Sequence, residues 1–395
     1  MKKTIRDYDL ENKRVIIRVD FNVPIKEGII MDDTRIKKEL PTIKYAIEKG
    51  AKVILLSHLS KIKTENDLIE NNLYPVSQRL SELLKQEVFF SNKTKGKELE
   101  QMVSNLQKGE VLLIQNTRYE DLEGKKDSNC DIELSKYWAS LGEIFINDAY
   151  GTCHRAHASN VGIAKFLPNG IGFLIEEELQ KLEGILDENT HPFIVIMGGA
   201  KVHDKIKIIK NLITQCDFLL IGGGMAYTFL KAKNYPIGKS ICDEKSLEFC
   251  QEMLQKYEDK IILPVDHLVS TSIDDSNIST KEILNTNPSE MGFDIGPKTL
   301  ELFENKLSNA KRVIINGPMG CFENQRYQEG TRALYQYLKD NHIKTLIGGG
   351  DSASSVNKLS DPSYFYHVST GGGATLEYLE GTVLPGISVI NEKEK

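Results

Sequence analysis

Short runs of β-branched and other apolar residues recur along the whole chain: "RVIIRV", "KVILLS", "EVLLIQ", "EIFIND", "FIVIMG", "FLLIGG", "KIILPV", "RVIING", "KTLIGG" and "YFYHVS". Longer stretches with helical spacing separate them. Within each run the apolar residues follow one another instead of alternating, which suits strands covered by helices on both faces. The pattern predicts βαβ units, parallel sheets and an α/β, doubly wound architecture.

Open parallel sheets bind ligands outside the carboxyl ends of their strands, so the residues after each run carry the functional information. In the first half these are "RVDFN" (Arg18 to Asn22), "SHLSK" (Ser57 to Lys61), "QNTR" (Gln115 to Arg118) and "NDAYGTCHR" (Asn147 to Arg155). They are rich in Arg, His and Asn, side chains suited to a small anion. In the second half they are "MGGAK", "GGGMA", "NGPMG", "GGGDS" and "STGGGA". Glycine dominates there, and backbone amides suit a nucleotide polyphosphate. The segment "TLIGGGDSASSV" reads as a strand, a turn through Gly348, Gly349 and Gly350, and a helix beginning near Asp351 and Ser352. It brings no lysine of its own. "MGGAKVHDKIK" supplies two, and the spacing of Lys201 and Lys205 predicts one face of a helix start. Asp351 is then free to ligate Mg²⁺ on the nucleotide, because Mg²⁺ favours one or two carboxylates plus phosphate oxygens and water. Between the halves, "LPNGIGFLIEEELQKLEGIL" predicts a hinge helix near residues 170–187, with Glu176, Glu177 and Glu178 in its first turn.

The 395 residues are 40% hydrophobic and 27% charged, enough for two or three domains with their own cores. A net charge of −6 argues against a general nucleic-acid or membrane-surface binder. The six cysteines contain no C-x-x-C pair, so neither a zinc site nor a disulfide framework is indicated. "MKKTIRDYDLENK" lacks an apolar signal region and no apolar stretch reaches a membrane span. The expected compartment is the reducing cytoplasm.

Other motifs have simpler readings. "GKS" at Gly238 to Ser240 imitates a Walker-type loop, but Lys233 stands where glycine is required, and a turn is expected. Gly348 to Ala353 fits G-x-G-x-x-A, yet Asp351 would face a pyrophosphate and no acid lies near residue 370. His154 and His157 in "HRAH" flank Arg155, which would repel a dication, so a structural or anion-binding role is favoured over a metal. His58 can serve as a neutral donor or a charged partner for an anion.

In order along the chain, "RVDFNVP", "GTCHRAHAS", "GGAKVHDKI", "NGPMGCFE", "GGGDSA" and "STGGGATLEYLEG" resemble the signature segments of the phosphoglycerate kinase family. The resemblance runs from end to end. It implies two Rossmann-like domains joined by a hinge helix. Residues 1–170 with the returning tail 382–395 would bind the acidic substrate, 171–187 would be the hinge, and 188–381 would bind the nucleotide. The implied reaction is reversible phosphoryl transfer from 1,3-bisphosphoglycerate to MgADP, giving 3-phosphoglycerate and MgATP. By the resemblance, Asp20, Phe21, Asn22, Arg35, His58, Lys61, Arg118 and Arg155 meet the acidic substrate. Lys201, Lys205, Asn316, Gly349, Gly350, Asp351 and Ser352 meet the phosphates and Mg²⁺. Gly222, Gly223 and Gly296 belong to the adenosine site, Glu323 to the ribose, and Arg35 with Lys201 act on the group in flight. The expected partners are these small molecules, with no nucleic acid or membrane, and the expected state is a monomer. Lys61 stands where the family usually has arginine. Cys153, His203 and Cys321 are further departures. Rival readings are an NAD-dependent dehydrogenase and a non-catalytic nucleotide-binding protein.

Overall fold

The computed structural model describes residues 1–394. They form two compact units: Met1–Leu179 with the described residues from Val383 onward, and Gln180–Thr382.

Unit 1 opens with β1 (Arg14–Arg18) and a short hairpin of β2 (Ile25–Lys26) and β3 (Ile29–Ile30). It continues through β4 (Lys52–Leu56), β5 (Val88–Ser91), β6 (Val111–Ile114), β7 (Ile144–Asn147) and β8 (Asn169–Ile171). Six of these strands make one parallel sheet in the order β5-β6-β4-β1-β7-β8. Its helices are α1 (Thr34–Glu48), α2 (Glu65–Glu70), α3 (Tyr74–Leu84), α4 (Lys97–Asn105) and α5 (Ile132–Ser140). The double-sided burial expected of the apolar runs is present: Val15, Ile16 and Ile17 are all fully buried, as are Val53, Ile54 and Leu55. Burying each such side chain contributes roughly 1.5–3 kcal/mol.

Helix α6 (Phe173–Ile185) leaves unit 1. It is shorter than the 170–187 expected, because residues 169–171 pair with β7 as a strand. Glu176 alone of the acidic triplet lies in the first turn; Glu178 is fully buried.

Unit 2 repeats the plan with β9 (Phe193–Met197), α7 (Ile206–Leu212), β10 (Phe218–Ile221), α8 (Met225–Ala232), α9 (Leu247–Lys256) and β11 (Ile261–Ile262). An antiparallel sheet of β12 (Asp266–Ser270), β13 (Ser279–Glu282) and β14 (Met291–Ile295) follows, in the order β13-β12-β14. Then come α10 (Pro297–Leu307), β15 (Arg312–Asn316), α11 (Glu329–Asp340), β16 (Lys344–Gly348), α12 (Gly350–Leu359), β17 (His367–Val368) and α13 (Gly373–Leu379). The main sheet is parallel in the order β11-β10-β9-β15-β16-β17. Helix α14 (Pro385–Ser388) belongs to the tail and returns to unit 1, where the Gly386 N–H donates to the Cys153 carbonyl at 2.9 Å. No helix of the described residues is long and apolar enough to cross a membrane.

Each parallel sheet reverses its direction of winding once, between β1 and β7 in unit 1 and between β9 and β15 in unit 2. Loops diverge at such a point and leave a crevice at the carboxyl ends of the strands.

Candidate active site

In unit 1 the loops after β1, β4 and β6, neighbours on one side of the switch point, are hydrogen-bonded together. Asp20 Oδ2 pairs with Arg35 Nη1 of α1 at 2.7 Å, and Asp20 Oδ1 accepts the Asn22 N–H at 3.2 Å. Phe21 is buried, and its N–H donates to Ser57 Oγ at 2.9 Å, locking the β1 loop to the end of β4. Asn22 Oδ1 accepts the Ser60 N–H at 2.9 Å, and Arg118 Nη1 donates to the Ser60 carbonyl at 2.8 Å. Asp20, Asn22, Arg35 and Arg118 are thus joined through one hydrogen-bonded set of loops. Lys61 and Arg155 are exposed on neighbouring loops.

His58 is buried, and its Nδ1 lies 3.1 Å from Nη2 of Arg18, which is fully buried. A guanidinium only donates, so His58 Nδ1 accepts and the ring proton sits on Nε2. Burial, with the Arg18 charge beside it, lowers the His58 pKa well below its ordinary value. Of the two roles expected of it, the neutral donor is the one this environment supports. Burial lowers His157 in the same unit to about 4, so this histidine is also neutral.

In unit 2 the loops after β9 and β15 interlock: Gly198 N–H donates to the Asn316 carbonyl and Gly199 N–H to the Pro318 carbonyl, both at 2.9 Å. Beside them opens a cavity of ≈ 340 Å³, lined by Gly199, Ala200, Gly223, Gly224, Tyr227, His267, Met291, Asp294, Met319, Glu323 and Asp351, among others. Two of its lining residues, Tyr227 and His267, belong to a hydrogen-bond chain. Thr286 Oγ1 donates to the Ile283 carbonyl at 2.6 Å and lies 2.9 Å from His267 Nε2, while Tyr227 Oη lies 2.9 Å from His267 Nδ1. His267 therefore donates from Nε2 and accepts the Tyr227 hydroxyl proton, as a neutral ring. Burial lowers its pKa to about 4, in agreement. Asp294, also buried there, is raised to about 7 and accepts the Gly330 N–H at 2.8 Å.

At the mouth, α12 begins at Gly350 with Asp351 exposed in its first turn. The preceding Gly349 has φ +95°, and a Cβ there would sit 2.6 Å from Asn316 Nδ2. Only glycine lets the backbone turn so near that amide. Asn316 Nδ2 donates to the Gly348 carbonyl at 2.8 Å, and its Oδ1 accepts from Lys205 Nζ. Burial lowers Lys205 to about 8, against the opposing pull of Asp351 and Asp204.

One expectation is overturned here. Lys201 and Lys205 do not share a helix face: Lys201 is exposed in an irregular loop, and residues 203–205 form a 3₁₀ turn before α7. His203 fixes that loop, its N–H and Nδ1 both reaching Asp243 Oδ2, at 2.9 and 2.7 Å. Ser352 is buried, with its Oγ accepting the Gly317 N–H at 2.6 Å, so it braces the neighbouring loop. Gly222 and Gly296 do not line the cavity. Gly222 makes room for Met319, and Gly296 for the Asp266 carboxylate that accepts the Thr299 N–H at 2.7 Å. "GKS" is a turn, as expected, with Gly238 at φ +57°. Among the described residues no group of three or more His, Cys, Asp or Glu is placed to hold a metal.

Residues 5–382 match the family model described as phosphoglycerate kinase. The chain belongs to the phosphoglycerate kinase family. A phosphoglycerate kinase of Enterococcus faecalis is 51% identical over 395 residues, covering 99% of this chain and 100% of the relative. One from Listeria innocua is 50% identical over 394 residues, with the same coverage. Among solved structures, the phosphoglycerate kinase of Coxiella burnetii superimposes with a TM-score of 0.88 at 36% identity, and that of Pyrococcus horikoshii with 0.84 at 31%. Each comparison covers 98% of both chains. With the family fold established, the residues that motif matching did not supply are Arg18, Glu39 and Asp148 beneath the anion crevice, and Tyr227, His267 and Asp294 in the cavity. For Arg18 the available signal was a charge set into an otherwise apolar strand, and for Tyr227 a polar group in an apolar helix; Glu39 offered none.

Proposed function

We infer that this chain catalyses the family's glycolytic reaction, reversible transfer of a phosphoryl group from 1,3-bisphosphoglycerate to MgADP, yielding 3-phosphoglycerate and MgATP. The observation that carries the reading is the nucleotide end of unit 2. A ten-residue helix presents its N-terminal N–H groups at a glycine turn, next to Lys205 on Asn316, at the mouth of an apolar cavity. A purine fits the cavity and a polyphosphate fits the turn. Asp351, exposed on α12 and reaching the cavity mouth, offers one carboxylate for Mg²⁺, whose other ligands come from phosphate and water. Bound there, Mg²⁺ supplies neutralisation of the phosphate charge.

In unit 1, Asp20, Phe21, Asn22, Arg35, His58, Lys61, Arg118 and Arg155 bind the acidic substrate, with Asp20 also holding Arg35 of α1. The reaction requires no general base. The attacking oxygen belongs to an ADP phosphate in one direction and to a carboxylate in the other, both ionised near neutral pH. Catalysis then consists of positioning and of neutralising the equatorial oxygens of the group in flight. We assign that neutralisation to Arg35 and Lys201. Residues 1–170 with the tail bind 3-phosphoglycerate, residues 188–381 bind the nucleotide, and α6, within residues 171–187, acts as the hinge whose closure brings the two sites together. A cytoplasmic monomer is the state this reading favours. A coupled assay with 3-phosphoglycerate and MgATP tests it: Mg²⁺-dependent ADP formation that requires both substrates is expected, and ADP formation independent of 3-phosphoglycerate would refute it.

A further inference from the structure

Helix α1 carries a carboxyl on its buried face. Glu39 is fully buried, and its Oε1 accepts the Asp20 N–H at 2.7 Å. Asp20 in turn holds Arg35, four residues before Glu39 on the same helix, at 2.7 Å. Glu39 Oε2 is buried and receives no backbone, hydroxyl or cationic donor; Asp148, at the end of β7, is approached by the Thr42 hydroxyl and the Leu174 N–H as well as by Glu39. The two carboxyl groups lie within hydrogen-bond reach of each other. Two ionised carboxylates so placed, away from water, repel strongly, so the pair retains one proton. Asp148 also reaches α6, its Oδ1 accepting the Ile175 N–H at 3.1 Å, while Thr42 Oγ1 of α1 accepts the Phe173 N–H at 2.9 Å.

We propose that Glu39 is a positioning residue for the acidic-substrate site: as the protonated member of the pair it donates to Asp148 while holding the Asp20 amide. It thereby ties the Asp20–Arg35 ion pair to the first turn of α6. The inference rests on the phosphoryl-transfer reading, through the roles given there to Asp20 and Arg35.

The groups facing the pair set the sign of its pH response. Asp20, on the loop after β1, disfavours charge on Glu39, and Arg18 of β1 favours it. Arg35 acts through its ion pair with Asp20. Cys153, beyond β7, faces Asp148 as an uncharged thiol, since burial raises its pKa. Burial, then the Asp148 charge, hold Glu39 well above the carboxylate range, and burial raises Asp148 to about 6. A carboxyl with a raised folded-state pKa loses its contribution as pH rises through that value. The tie is therefore strongest at low pH and weakens as pH rises through the raised range of the pair.

The experiment compares wild type, Glu39→Gln and Glu39→Ala between about pH 7 and about pH 9, a range that spans documented values for buried glutamates. Wild type is assayed first with 3-phosphoglycerate and MgATP, and lack of turnover there would refute the functional reading before any variant is made. Glu39→Ala is expected to raise KM for 3-phosphoglycerate about tenfold at neutrality, the range of a lost charge-assisted hydrogen bond, with KM for MgATP nearly unchanged. Glu39→Gln keeps both hydrogen bonds without an ionisable proton. Its KM should match wild type at the lower end of this range and stay flat as pH rises, where that of wild type climbs. Its melting temperature should exceed that of wild type increasingly as pH rises. An unchanged KM in Glu39→Ala overturns the positioning role. A Glu39→Gln profile as steep as that of wild type overturns the shared proton, and this comparison decides the matter even if Glu39→Ala does not fold.

Discussion

Burial treats the cations of this chain unequally, and their work follows from it. Arg18 is sealed beneath the anion crevice and spends its donors on His58, Ser159 and the Val19 carbonyl. It organises the site. Arg35 is half-buried on Asp20 and Lys201 is exposed; the proposed reaction assigns both to the transferring phosphoryl group. Arg35→Ala and Lys201→Ala should each lower kcat about a hundredfold or more, roughly 3 kcal/mol for one preorganised donor, with smaller changes in KM. Steady-state kinetics in both substrates checks this, and a variant that raises only KM marks its residue as a binding group. Lys205 is the intermediate case, with a pKa lowered to about 8 by burial. It is charged below that value and loses its charge above it, so kcat/KM for MgADP should fall as pH rises through about 8. In Lys205→Ala that limb should disappear. A wild-type profile with no such limb would sink the assignment. These cations were readable as residue types in the sequence, but their burial was not. Glu39 sits in "TRIKKELPTIKYAIE", where charged residues crowd every face; only packing against Asp20 and Asp148 distinguishes it from its solvated neighbours.

Among the elements, the strands of the two main sheets were the most legible part. Their apolar runs reflect burial on both faces, which depends on the sheet alone. The antiparallel sheet β13-β12-β14 escaped notice, because strands such as "STKE" are exposed and polar and owe their form to pairing with β12. The Lys201–Lys205 segment misled for a related reason. Its spacing suits a helix, but the His203–Asp243 contacts draw the loop into a 3₁₀ turn. The turn between β16 and α12 was legible from its glycines, and it offers a sharp test. Gly349→Ala places a methyl group against Asn316 Nδ2 and forces an alanine to φ +95°. A loss of about 1–3 kcal/mol in stability is expected from the backbone alone. Displacing Asn316 also disturbs Lys205, so KM for MgADP should rise while KM for 3-phosphoglycerate stays near wild type. Denaturant unfolding and titration of each substrate measure the two effects separately.

At the scale of the whole molecule, unit 1 is assembled from both ends of the chain. The tail buries Leu384 and Ile390, accepts the Asn147 Nδ2 donor at Gly386 O (2.9 Å), and pairs the Asn391 carbonyl with the Lys3 N–H at 2.8 Å. Truncation after Thr382 removes those side chains and leaves the Cys153 carbonyl and Asn147 amide without these partners. Unit 1 should lose about 3–6 kcal/mol, from two buried aliphatic side chains. Hydrogen exchange should show the loss as weaker protection of β1, β7 and β8, with unit 2 protected as before. An equal loss in both units would contradict a tail that serves unit 1 alone. The same arrangement sets an order of events during synthesis. A ribosome releases the chain from its N-terminus at about 5–20 residues per second, and domains generally fold as units. Unit 2, continuous from Gln180 to Thr382, has its full sequence before the last segment of unit 1 is made. The larger part of unit 1 emerges before unit 2, but its last segment follows Thr382, so unit 1 can be completed only after all of unit 2 has been made.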